Sequence, residues 1–292
     1  MLILAGSVRV GVHTSIAGGL VRAVERAHKI GCDGFQIFSA NPRGWRTKEP
    51  SAEDSERFRA ARGRYGLTPL VIHDNYLINL ASPEARLREL SVKAFRREIE
   101  RAIALQADFL VTHPGSARDG NRAQAIRQSA ESLKQAAQGL NLDGLTILIE
   151  NTAGQGSVIG SRFEEVAEIV ASASGEVPAG ACIDTAHTFE AGYPIHTREG
   201  LAETVRELER TVGLSKVCVM HANDSKTALG SHADRHEHIG RGAIGREAFA
   251  RIVRNAKLRR IPFICETPID CPGDDKRNLN MMRKLAGETQ GR

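Results

Sequence analysis

The sequence has no apolar run near the roughly 18 residues that a membrane span needs. The apolar start, Met1 to Ala5, lacks both a basic flank and enough length for a secretory signal, so no signal peptide is expected. It holds five cysteines, an odd number, and no Cys-x-x-Cys pair. That excludes a disulfide framework and points to a reducing, cytoplasmic compartment. Cys182, Cys218 and Cys265 lie inside short apolar runs, where cysteine acts as a small hydrophobe. Neither sign of charge dominates: 40 Lys and Arg face 35 Asp and Glu, a net +5. Such a balance permits a polyanionic partner without requiring one. Linkers, charge blocks and low-complexity tracts are also missing, so the 292 residues read as one domain.

What is present is a repeated unit. Eight short apolar runs occupy residues 10–14, 34–38, 70–73, 109–113, 146–150, 181–184, 217–221 and 262–266. They are rich in β-branched residues and continuous rather than alternating, as strands covered on both faces should be. Helical segments are expected between and after them at 17–30, 52–65, 83–106, 121–139, 162–174, 198–212, 246–258 and 274–286. Ser82 before Pro83 reads as an N-cap, and Ser161-Arg-Phe-Glu164 reads as a capping box. Strict alternation implies parallel strands joined by right-handed crossovers, and eight units favour a closed (β/α)8 TIM barrel over an open sheet. The barrel is assigned to residues 10–292, with residues 1–9 as an N-terminal extension. Two loops are long, 39–51 with the single tryptophan Trp45, and 222–245; long loops in compact domains are often functional.

The ends of the runs carry the chemistry. His13, His73, His113, Glu150, Asp184, His221 and Glu266 all stand at or near the C-terminal ends of predicted strands. In a parallel barrel these ends form one mouth, where active sites lie. A lone His or Asp at such a place is ordinarily a structural hydrogen bonder. Seven in one ring are not, and the mixture of imidazole and carboxylate suits a borderline divalent metal such as zinc or manganese. His13 fits best as support for a ligand rather than as a ligand. His187, three residues past Asp184, and the pair Asp234 and His236 add loop-borne donors. His232 and His238 read as surface or supporting residues, His28 and His196 as exposed. Nine donors (His73, His113, Glu150, Asp184, His187, His221, Asp234, His236 and Glu266) exceed the needs of one ion and suit two or three. Clustered ions are characteristic of phosphoryl hydrolysis.

At these residues the sequence resembles the endonuclease IV family of apurinic/apyrimidinic endonucleases. The similarity covers essentially the whole chain from about Val10. It is carried by His13-Thr-Ser-Ile-Ala-Gly-Gly19, Asn41-Pro-Arg-Gly-Trp45, His73-Asp-Asn-Tyr-Leu-Ile-Asn79, Thr112-His-Pro-Gly-Ser116, Glu150-Asn-Thr-Ala-Gly-Gln-Gly156, Asp184-Thr-Ala-His187, His221-Ala-Asn-Asp-Ser-Lys226 and Asp234-Arg-His-Glu-His-Ile-Gly240. The resemblance implies three Zn2+ per chain, with Mn2+ an alternative at one or more positions. It implies that His73, His113 and Glu150 hold the first ion. Glu150 would bridge to a second, completed by Asp184, His221 and Glu266, and His187, Asp234 and His236 would hold the third. Glu150 and Glu266 are then the catalytic carboxylates, Glu266 also orienting or deprotonating the attacking water. The implied partner is double-stranded DNA with abasic sites, cut 5′ to the lesion to leave a 3′-hydroxyl and a 5′-deoxyribose phosphate. One mouth with its own loops suffices for one lesion, so action as a monomer is expected. Arg43, Tyr76 and Leu77 match positions that enter the minor groove beside an extruded nucleotide; a planar cation and an apolar wedge suit that task. A metal-dependent sugar isomerase or epimerase on a similar barrel is the alternative. It has no use for the extra donors His187, Asp234 and His236. A non-catalytic binder of damaged DNA has no use for an intact ligand set.

Overall fold

The computed structural model describes residues 7–45 and 49–287. The eight runs become parallel strands: β1 (Val10–Val12), β2 (Phe35–Phe38), β3 (Leu70–His73), β4 (Phe109–Thr112), β5 (Thr146–Glu150), β6 (Ala179–Asp184), β7 (Val217–His221) and, last in the chain, β10 (Phe263–Cys265). Their order in the sheet is β1-β10-β7-β6-β5-β4-β3-β2. The edges meet through a parallel bridge between His13 and Gln36, with the Thr14 amide donating to the Gln36 carbonyl at 2.8 Å. The sheet is therefore a closed eight-stranded barrel, and closure leaves no strand edge exposed.

Helices follow the strands on the outside: α1 (Leu20–Ile30), α2 (Ala52–Tyr65), α3 (Ala85–Ala104), α4 (Arg122–Ala137), α5 (Phe163–Ala173), α6 (Thr185–Glu190), α7 (Arg198–Thr211), α8 (Arg246–Arg254) and α9 (Asp274–Ala286). Among the described residues, no helix is long and apolar enough to cross a membrane. Several starts are capped as local chemistry dictates: the side chains of Ser51, Asn121 and Thr197 accept from Asp54, Gln124 and Gly200 amides. Two expected starts are corrected. Ser82 accepts from the Glu84 amide in a turn, so α3 opens at Ala85, two residues late. Ser161 does not cap α5, because its hydroxyl accepts from Arg122, which also pairs with Glu165. The helix expected at 246–258 stops at Arg254 and a short 3-10 turn, Leu258–Arg260, follows. Helix α6 and a two-stranded antiparallel ribbon, β8 (Asp224–Ser225) with β9 (His236–Glu237), were not expected; both lie in segments read as loop. Of the extension at 1–9, residues 1–6 lie outside the described residues. Val8 already sits in the core, and the Arg9 carbonyl accepts from the Phe263 amide at 2.9 Å.

The outer core between strands and helices is built on Phe35, Phe58, Phe95, Phe163, Phe249 and Phe263, all fully buried. Inside the barrel is a second, separate cluster: Val71, Val111, Leu148, Cys182, Val219 and Ile264. Strand side chains alternate with period two, so the next inward position on each strand lies two residues on. Those positions are His73, His113, Glu150, Asp184, His221 and Glu266. Six candidate ligands therefore stand on an apolar layer as a direct result of strand periodicity.

Where β1 and β2 close the barrel, only a residue without a side chain fits. A Cβ on Gly11 would overlap the Gly34 carbonyl oxygen, with the carbonyl carbon at 2.8 Å and Ile264 Cδ1 at 2.9 Å. Gly11→Ala should therefore destabilise the protein by about 3 kcal/mol, the upper end for overpacking against backbone. Thermal melting reads this; a melting point unchanged from wild type would mean that closure is looser than described.

Candidate metal centre

His73, His113, His187, Asp234, His236 and Glu266 line a cleft of about 320 Å³, together with Phe38, Tyr76, Thr267 and Ile269. In contact with four of the histidines is Glu150, with no solvent exposure. Its Oε2 lies 3.2 Å from Nε2 of both His73 and His113, and its Oε1 lies 2.8 Å from His221 Nδ1 and 3.4 Å from His187 Nδ1. Glu266 Oε2 is 3.0 Å from His221 Nδ1. On the other side of the cleft, Asp234 Oδ1 is 3.3 Å from His187 Nε2 and 3.4 Å from His236 Nε2, and Asp184 Oδ2 is 3.8 Å from the latter. The donors fall into three groups able to hold an ion: His73, His113 and Glu150; Glu150, Asp184, His221 and Glu266; Asp184, His187 and His236. Asp184 thus reaches two groups, whereas the sequence placed it in one. Asp234 joins the third group by its distances.

The donor set fits metal better than it fits direct hydrogen bonding. Ligand atoms about 2.0–2.1 Å from one tetrahedral ion stand about 3.3 Å from each other. Four of the separations above, all from ring nitrogens that face the cluster, are 3.2–3.4 Å, longer than a good charged hydrogen bond of about 2.7–2.9 Å. The tautomers agree. His73 Nδ1 donates to the Asp74 carbonyl, His187 Nδ1 to the Asn151 carbonyl and His236 Nδ1 to the Glu266 carbonyl, at 3.1, 2.9 and 3.2 Å. His221 Nε2 donates to Gln36 Oε1 at 2.8 Å. Each ring is thereby fixed with its other nitrogen turned into the cluster, as supporting groups do for metal-ligating histidines. His236 Nε2 is buried and has no hydrogen-bond partner among the described residues. An orphan of this kind is costly without a ligand.

Several supporting residues escaped the sequence reading. Gln36 is fully buried in the middle of β2, donates to Glu266 Oε1 and contacts His13 Nδ1 at 2.9 Å. A lone amide inside Phe-Gln-Ile-Phe was its signal. His13 Nδ1 stands 3.6 Å from Glu266 Oε1. Asn223 donates to Asp184 Oδ2 at 2.5 Å and accepts from the Glu266 amide at 2.9 Å; Asn151 Oδ1 accepts from the Asp184 amide at 2.7 Å. Asp184 itself caps α6, accepting from the His187 amide at 2.8 Å, which sets the orientation of His187. Asp224 gathers the amides of Gly240, Gly242 and Ile244 at 2.9–3.0 Å and so folds the 222–245 segment. His238 is buried between Asp270 and Asn278, and His232 donates to the Ala153 carbonyl; both are structural. His28 is exposed as expected and stacks on Tyr65, but His196 is only half-exposed and packs edge-on to Phe189.

At the rim, Arg43 and Tyr76 are exposed and Leu77 is half-buried. Their two loops are stitched together: the Tyr76 amide donates to the Pro42 carbonyl at 3.1 Å, and Asn75 Nδ2 to the Gly44 carbonyl at 2.7 Å. Tyr76, 61% exposed, stands edge-on to Phe38 over the cleft.

Protons take the place of cations when no metal is bound. Burial opposes charge on His73, but the hydrogen bond and field of Glu150 outweigh it and push its pKa up to about 9. His187 and His221 are likewise held well above 6.5 by neighbouring acids that overcome burial. The fully buried Glu150 and the largely buried Glu266 are held well below the usual carboxylate range by facing histidines, His221 foremost, which outweigh burial. A raised histidine pKa favours the charged form in the fold. Its contribution is complete below the unfolded value of 6.5 and is lost as pH rises through about 9. Protein stripped of divalent ions should therefore melt at progressively lower temperature between these two pH values. A melting point that climbs over that range would contradict the charge balance.

A family model described as xylose isomerase-like TIM barrel matches residues 24–285. The chain is 48% identical over 281 residues to a probable endonuclease 4 from Solibacter usitatus, covering 96% of this chain and 97% of that one. The solved structure of endonuclease IV from Thermus thermophilus superposes with a TM-score of 0.85 at 38% identity, covering 96% of this chain and all of that one. A D-tagatose 3-epimerase-like protein shares the fold at a TM-score of 0.69 and 21% identity, over 96% of this chain and 97% of that one. With a barrel of this topology, this arrangement of side chains and identity of this extent, the chain belongs to the endonuclease IV family.

Proposed function

We propose that the protein hydrolyses the phosphodiester 5′ to abasic sites in duplex DNA, leaving a 3′-hydroxyl and a 5′-deoxyribose phosphate, with three zinc ions held by nine side chains. The observation that carries this reading is the gathering of all nine donors into one contiguous cluster in a member of the endonuclease IV family. His73, His113 and Glu150 hold the first ion. Glu150, Asp184, His221 and Glu266 hold the second, and His187, Asp234 and His236 the third. Zinc bound there supplies Lewis-acid stabilisation of the attacked phosphate and lowers the pKa of a water. Manganese can replace it at one or more positions, because the donors are imidazole and carboxylate.

The chain's own residues do the rest. Glu150 keeps the first two sites at a fixed separation, since its two oxygens face different histidines. Glu266, fixed by Gln36 and Asn223, orients the attacking water and accepts its proton at a carboxylate oxygen. Arg43, Tyr76 and Leu77 enter the minor groove and fill the gap left by the extruded nucleotide. An abasic nucleotide has no base to unstack, so it is the easiest to extrude. One mouth with its own loops suffices for one lesion, so the protein acts as a monomer. Its five free thiols suit a reducing cytoplasm.

Elemental analysis of purified protein should give close to three metals per chain; a single metal would favour a sugar isomerase. Metal-replete protein should nick a duplex carrying one tetrahydrofuran abasic analogue, and Glu266→Gln should lower kcat about 10²–10⁴-fold. Sugar isomerisation without nicking would overturn the assignment. Tyr76→Ala should weaken binding to abasic duplex far more than to intact duplex; equal losses would remove its role in filling the gap.

A further inference from the structure

We propose that Glu190 is a positioning residue for the third metal site, clamping the segment that carries Asp234 and His236 onto the helix that carries His187. The inference rests on the three-ion reading above and concerns a residue given no role there. Helix α6 is only six residues long, yet its line of residues 184, 187 and 190 recurs every three positions and so keeps to one side of the helix. Asp184 and His187 turn to the cluster. Glu190, fully buried, turns under the 222–245 segment.

Its Oε1 is shared by both arms of that segment. Ser225 Oγ donates to it at 2.7 Å and Thr227 Oγ1 at 3.2 Å from the outgoing arm; the Arg235 amide donates at 3.3 Å from the returning arm, between Asp234 and His236. The backbone adds two further ties, from the His232 amide to the Glu190 carbonyl at 3.0 Å and from the Gly230 amide to the Phe189 carbonyl at 3.2 Å. The helix thus supplies one donor to the third site and fixes the other two. The first two sites do not depend on this clamp, because His73, His113, Glu150, His221 and Glu266 sit at strand ends.

The clamp needs an acceptor oxygen, not a negative charge. Glu190→Gln keeps that oxygen and Glu190→Ala removes it. The test is metal content per chain after dialysis against a weak chelator, together with zinc affinity of the most weakly held ion. Wild type should retain three ions. Glu190→Ala should retain two, with the affinity for the third lowered about 10–100-fold, the usual effect of losing a supporting group. Glu190→Gln should retain three with affinity near wild type. Should Glu190→Ala fail to fold, Ser225→Ala, which removes one arm of the clamp, should show the same selective weakening to a smaller degree. Retention of three equally tight ions by the folded variants overturns the proposal, as does equal loss in Glu190→Ala and Glu190→Gln. Wild type that never holds more than two ions would instead overturn the three-ion reading itself.

Discussion

A fully buried carboxylate is tolerable only where cations surround it, and Glu150 is the carboxylate around which this molecule is arranged. Four histidines from four different places in the chain face its two oxygens. No local segment could bring them together. The closed barrel does so: its strands deliver His73, His113 and His221 to one level above the Val71, Val111, Leu148, Cys182, Val219 and Ile264 layer, and α6, which follows directly on β6, delivers His187. Removing the negative charge at position 150 would leave those imidazoles with no common partner, and removing the cations would leave Glu150 uncompensated. Fold and site are therefore one electrostatic arrangement.

Most of the barrel and the strand-borne donors were legible because both depend on short-range pattern. Continuous β-branched runs mark strands covered on both faces, and a polar residue ending such a run marks the mouth. His73, His113, Glu150, His221 and Glu266 follow from that rule alone. Gln36 breaks it: it sits within a run, where a lone amide signals a buried polar residue but not what that residue supports. Helix α6 was missed because six residues carry too little periodicity, and because its cap, Asp184, reads from sequence as a strand-end donor. The predicted capping box at Ser161 failed for the opposite reason, since a distant arginine claimed the hydroxyl. Asp224 and Glu190 act on residues far along the chain, and no spacing reveals that.

The donors divide by origin. Those on strands share the rigidity of the barrel, a framework that also appears in an epimerase-like protein of low identity. Asp234 and His236 belong to the 222–245 segment, folded by the Asp224 carboxylate and by contacts with α6. The geometry of the third group thus depends on hydrogen bonds between α6 and this segment rather than on strand register.

The apolar layer inside the barrel has one more effect. It seals the base of the cleft, so ions and water can reach the cluster only from above. On the proposed function the same opening would also receive the duplex, so metal could enter or leave only in the intervals between one lesion and the next.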